Sequence, residues 1–169
     1  MRDLFGQIRT ANSARLYFVA LFAALTLPDI CAALEAPDGQ ASGSQYIAWF
    51  DAHVAPMYGV AGSTTLTGRV AYRFRCSMLH QATTQDPKNA FSRILFIEPG
   101  TTGIVAHNNV INGALNIDAQ VFVDDVVRAA ESWFTAAQSD PTVQMNYARS
   151  IQRHPGGLPP YIVGVPVIS

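Results

Sequence analysis

The apolar positions fall into one dense run, several stripes at helical spacing and two short β-branched blocks. The run is Leu16-Tyr-Phe-Val-Ala-Leu-Phe-Ala-Ala-Leu-Thr-Leu27. Ser13 in front of it can cap a helix from Ala14 to about Leu25, apolar nearly all round and so central to the core. Thr26-Leu27-Pro28-Asp29 then predicts a restart to about Glu35, because proline and an acid both suit a first helical turn. Residues 3 to 12 form a short polar leading helix, and residues 36 to 43 are a loop by composition. Ser44 can cap a helix through Val54, with Tyr46, Ile47, Trp49, Phe50 and Val54 on its apolar face. After a Gly/Ser/Thr-rich connection, a helix starts near Thr65 or Thr67 and runs to about Gln81. Val70, Phe74 and Met78, with Ala71 and Leu79 alongside, are its buried stripe.

The β-branched blocks follow. Arg93-Ile-Leu-Phe-Ile-Glu98 and Ile104-Val-Ala-His107, joined by Pro99-Gly-Thr-Thr-Gly103, predict a hairpin resting on the helices. Asn116 or Asp118 can cap a helix through about Ala137, with a stripe from Ile117 to Phe134 and with Asp124, Asp125 and Arg128 on the solvated side. Asp140-Pro141 begins a last helix to roughly Gln152. The expected fold is mostly α, a helical bundle of four or more helices with a small inserted β-hairpin at about 93–107. Residues 1–154 make one domain. Residues 155–169 are a Pro/Gly-rich apolar tail that packs across the surface or against a partner chain.

Composition narrows the classes. At 169 residues, 49% hydrophobic and 14% charged, the chain suits one folded domain. A net charge of −1 gives no global reason to invoke nucleic acid or an anionic membrane. Lys88 is the only lysine, so cationic sites are arginine forks suited to phosphate or carboxylate. Cys31 and Cys76 fit neither a disulfide framework nor a zinc spacing, and an inert buried thiol is expected at Cys76. The Leu16 to Leu27 run is shorter than the ~20 residues that span a bilayer. It imitates a signal peptide, but Pro28-Asp29 interrupts the approach to a cleavage site. A buried helix, no membrane partner and a cytoplasmic location are expected. His53 reads as structural and His107-Asn108-Asn109 as turn chemistry.

Groups with chemical capacity concentrate in Gly68-Arg-Val-Ala-Tyr-Arg-Phe-Arg-Cys-Ser-Met-Leu-His-Gln81. Arg69, Arg73 and His80 share a face. Arg75 lies about 140° from His80 around the helix, yet a long arginine lets the two heads converge. Arg75 and His80 form R-x4-H, and Arg73 and His80 fit a six-residue spacing. Arg149 and His154 also fit R-x4-H, but outside a secure helix. Such an arginine–histidine pair near a helix end, late in a helical order, resembles the HEPN superfamily of small helical nuclease domains. Asparagine commonly follows the arginine there and glycine the histidine; here the residues are Cys76 and Gln81. The resemblance implies a metal-independent endoribonuclease that leaves a 2′,3′-cyclic phosphate and a 5′-hydroxyl. It implies Arg75 and His80 as catalytic residues, no metal and no cofactor. It also implies a homodimer with two motifs facing one cleft, and a role in toxin–antitoxin or antiphage defence with an antitoxin or regulatory partner. The chemistry is consistent with those residue types: histidine moves protons near neutral pH, and arginine grips phosphate. Arg73 and Arg69 are expected to add phosphate contacts, and Ser77 to orient a base or phosphate. The alternatives are a non-catalytic helical module binding RNA or protein through its arginine face, and an oligomeric scaffold built on the apolar run and the tail.

Overall fold

The computed structural model describes residues 1–60, 63–85, 90–100 and 106–169, and it is mostly α-helical. The helices are α1 (Arg2–Ser13), α2 (Tyr17–Glu35), α3 (Gly43–His53), α4 (Gly68–Gln81), α5 (Ala119–Ala137) and α6 (Pro141–Ala148). A 3-10 turn, Ala55–Tyr58, leads into the small pair β1 (Gly59–Val60) and β2 (Ser63–Thr64). A three-stranded sheet is formed by β3 (Arg93–Ile97), β4 (Asn109–Ile111) and β5 (Ala114–Asp118). Four two-residue strands end the chain: β6 (Arg153–His154), β7 (Gly157–Leu158), β8 (Ile162–Val163) and β9 (Val167–Ile168).

α2 is the centre. Ala20, Ala24, Leu25, Leu27 and Cys31 are buried at 1% exposure or less, and α1, α3, α5 and α6 all pack on it. The expected restart at Pro28 does not occur. Pro28 lies inside one continuous helix, where Leu25 and Leu27 before it and Cys31 and Ala32 after it share one core. Packing on both sides outweighs the lost backbone bond. The preceding boundary also moves. Ser13 closes α1, and Arg15, with φ of 59°, turns the chain before α2 begins. At α3 the cap is Ser42 rather than Ser44. Its hydroxyl accepts from Gln45 N–H, while Gln45 Oε1 accepts from Ser42 N–H, a reciprocal capping box.

α3 and α4 approach so closely that only glycine fits at residue 68. A Cβ there would lie 2.3 Å from the Ile47 carbonyl oxygen, and the Gly68 N–H donates to Asp51 Oδ1 at 2.6 Å. Gly68→Ala gains helix propensity but must push two backbones apart. The clash wins, and a loss of about 2 kcal/mol is expected, read as a melting temperature about 5 °C lower.

The hairpin expected at 93–107 is corrected. Its first strand exists as β3, but Ala106 and His107 carry no strand, and residues 104 and 105 lie outside the described ones. β3 pairs in parallel with β5, and β5 pairs antiparallel with β4, giving the order β3-β5-β4. The hairpin is therefore β4–β5, turned at Asn112 and Gly113, both at positive φ. Asn-Gly is the pair such a tight turn demands. The expected solvated acidic side is corrected at Asp125, while Asp124 is exposed as expected. Asp125 is buried, accepting from the Tyr58 hydroxyl at 3.1 Å and from Arg128. Burial pushes its carboxyl above the usual carboxylate range.

Candidate functional site

α4 is built to deliver its last turn to solvent. Thr67 caps the start, accepting from Val70 N–H. Val70, Ala71, Phe74, Ser77 and Met78 face the core. At the far end Ala82 adopts the left-handed conformation (φ 52°), and its N–H and that of Thr83 close on the Met78 and Ser77 carbonyls. His80 thus stands exposed in the final turn.

The structure brings Arg75 and His80 together. Arg75 Nη1 lies 3.1 Å from His80 Nε2. Arginine has only donors, so in this contact Nε2 is the acceptor. The other edge of the guanidinium is held by α2. Nε and Nη2 both reach Asp29 Oδ2, at 2.9 and 2.8 Å, with each side chain only about a fifth to a quarter exposed. Burial pushes the Asp29 carboxyl up, against the opposing pull of Arg75 and His80. Asp29 is the site residue that sequence reading missed. By sequence it reads as a helix-start acid beside Pro28, and only the α2–α4 crossing reveals its partner.

The remaining candidates separate. Arg69 is exposed on the His80 face and Arg73 is half-buried. Ser77 is 8% exposed on the core face, away from the exposed last turn. Cys76, expected to be buried, is half-buried, with its Sγ 3.9 Å from Arg75 Nη1. His107 does turn chemistry: Nδ1 accepts from Asp118 N–H and the ring lies against Tyr58. His53 rests on Trp49.

Beneath the cluster, the Tyr46 hydroxyl is buried without a hydrogen-bond partner among the described residues. Burial first, then the Asp29 charge, push its phenol well above the ordinary range. A buried hydroxyl that makes no bond costs free energy. Tyr46→Phe is therefore expected to raise stability by about 1 kcal/mol in denaturant titration, leaving the Arg75–His80 contact in place.

Among the described residues, no group of three or more His, Cys, Asp or Glu is placed to hold a metal ion. A groove of about 990 Å³ lies elsewhere, between the start of α1, α6 and the root of the C-terminal segment, and includes neither Arg75 nor His80. Among the described residues one helix, Tyr17–Glu35, is long and apolar enough to cross a membrane by length and composition, and 56% of its most apolar stretch is buried inside the protein. Comparison with protein-family models, with curated proteins and with solved structures gave no match.

Proposed function

We propose that the chain is a metal-independent endoribonuclease of HEPN type, with a helical-bundle core and Arg75 and His80 as its catalytic pair. The observation that carries this reading is the 3.1 Å contact between Arg75 Nη1 and His80 Nε2 at an exposed helix end. RNA brings its own nucleophile, the 2′-hydroxyl, one bond pattern away from the phosphate it attacks. A base and a cation side by side match that spacing. As RNA enters, Arg75 Nη1 turns its N–H from His80 Nε2 to a non-bridging oxygen, and Nε2, its lone pair freed, takes the 2′-proton as the oxygen attacks phosphorus. Asp29 holds two guanidinium N–H groups, so Nη1, which rests on His80, is the group left to meet substrate. The bond from phosphorus to the 5′-oxygen breaks, leaving a 2′,3′-cyclic phosphate and a 5′-hydroxyl. That leaving oxygen needs a proton, and each chain supplies one such histidine. A homodimer that faces two pairs across one cleft completes the step. Arg69 and Arg73 extend the phosphate track. A cytoplasmic toxin or antiphage role with a regulatory protein partner is the setting this chemistry suits.

The Asp29–Arg75 pair supports a second reading. It ties α2 to α4 and leaves Arg75 well satisfied, as in a helical module that binds RNA or protein without cutting. Incubating the purified protein with a mixed RNA pool in EDTA separates the two. Products ending in 2′,3′-cyclic phosphate support the ribonuclease. Intact RNA that is nonetheless bound, with affinity falling steeply in salt, supports the module.

A further inference from the structure

The last residues double back on themselves. Gln152 and Ser169 exchange two backbone hydrogen bonds, 2.6 and 3.0 Å, at the root. β6 pairs with β9 and β7 with β8, and Gly164 N–H reaches the Gly156 carbonyl at 2.9 Å. The expected tail is therefore a hairpin arm, and it starts at residue 152 rather than 155. A turn at Pro155-Gly156 and a bend at Gly164-Val165 separate the two ladders, so the arm is two short ladders in series. The root lines the groove through Gln152, Arg153 and Ile168. The tip is uncovered: Tyr161 is 85% and Val163 72% exposed. A two-stranded hairpin is marginal by itself in water, so an apolar arm of this length calls for a cover.

A second uncovered surface lies on the first half of α2. Leu16, Phe18, Val19 and Phe22 are 56%, 77%, 60% and 37% exposed. On the helix, Phe18, Phe22 and Asp29 fall within about 40° of one another. The patch therefore continues, along the same face, toward the Asp29–Arg75 pair. Within one chain the two surfaces are apart. The arm's root lines the same groove as Ile30 and Leu34, which lie about 18 and 24 Å along α2 from Phe18.

We propose that the arm of one copy covers the α2 patch of a second copy, reciprocally, in a two-fold homodimer. A two-fold axis makes every contact occur twice, so an arm and a patch on the same chain satisfy each other between chains. If the two α2 helices run antiparallel across that axis, each root stands opposite the partner's patch. The area also suffices. The exposed parts of the four α2 side chains and of the arm's apolar residues come to on the order of 1,000 Å² per chain, at roughly 150–200 Å² for a large side chain. Stable interfaces bury about 800 Å² per partner. The interface rests on the homodimer that the ribonuclease reading calls for: a dimer that leaves RNA intact sinks only the chemistry, and a monomer that makes 2′,3′-cyclic ends sinks only the interface.

Light scattering of the full chain, with Phe18→Asp, Val163→Asp and an equimolar mixture of the two, tests the exchange. Wild type is expected at twice the chain mass. Each variant is expected near one chain mass, its dimer weakened at least ~30-fold. The mixture is expected to recover dimer, because the intact arm of one variant meets the intact patch of the other. All the substituted positions are exposed; circular dichroism verifies folding, and Tyr161→Asp and Phe18→Ser serve as second variants. Wild type at single-chain mass overturns the proposal, whether or not it sediments with phosphatidylcholine vesicles. A dimeric Val163→Asp, or a mixture that stays monomeric, overturns it as well.

Discussion

His80→Ala is expected to lower the rate of RNA cleavage in EDTA by about 10²- to 10⁴-fold, the usual worth of a positioned general base. The melting temperature should scarcely move, because an exposed side chain in a last helical turn contributes within about 0.5 kcal/mol. Arg75→Ala is expected to lose activity to a similar degree, but with a different stability signature. Removing Arg75 strands the Asp29 carboxylate, which is about a quarter exposed. Solvent softens that loss, so about 1–2 kcal/mol is expected rather than the larger cost of a fully buried pair. Arg75→Lys separates the roles. It keeps a cation near Asp29 but not the fork that spans Asp29 and His80 together, so stability should return further than activity. Initial rates on a mixed RNA pool, with end-group analysis, give the readout. Unchanged cleavage in His80→Ala would remove this pair from the mechanism.

The largest effect on the fold is expected from Phe74→Ala. Phe74 is 3% exposed and precedes Arg75 directly. Its ring packs against Phe96 of β3 at 5.2 Å, and Phe96 packs against Phe122 of α5 at 5.3 Å. These three rings join α4, the sheet and α5. Truncating the first leaves a cavity that a helix–sheet seam cannot fill, for a loss of about 3–5 kcal/mol. For a chain of this size that lowers the melting temperature by roughly 10 °C, a large share of the 5–15 kcal/mol typical of folded domains. Scanning calorimetry measures it directly. Phe74→Leu, which keeps most of the volume, should recover more than half of the loss.

Local signals in the sequence marked the helices well. Thr67 and Gln81 bound α4 as the spacing of Val70, Phe74 and Met78 requires, and Asp118 and Asp140 cap their helices as read. The misreadings arose where a local signal met a tertiary one. Pro28 resembled a helix start, but a shared core carries α2 through it. Asp125 resembled a solvated acid, but a tyrosine 67 residues away turns a hydroxyl toward it. Asn112-Gly113 was a legible hairpin signal that passed unread, because the β-branched blocks upstream had already suggested a different pairing. At the site, sequence placed Arg75 and His80 on one helix and left their heads 140° apart around it. The meeting of those heads depends on side-chain reach, and the anchoring of Arg75 depends on Asp29, 46 residues earlier. Neither has a local signature.

The order of strands in the small sheet bears on how the molecule assembles. β4 and β5 are joined by the two residues Asn112 and Gly113, so their pairing closes a very short loop and can form on the microsecond scale of isolated hairpins. β3 pairs with β5 from 21 residues upstream, Arg93 against Ala114, and must first bear a larger loop-closure entropy. The sheet is thus expected to grow from its latest-synthesised pair, β4 and β5, with β3 arriving last. β3 carries Phe96, the ring that backs Phe74. The helix that presents Arg75 and His80 therefore receives its final support at the end of folding, so a chain with its helices formed would not yet hold the pair in its finished setting.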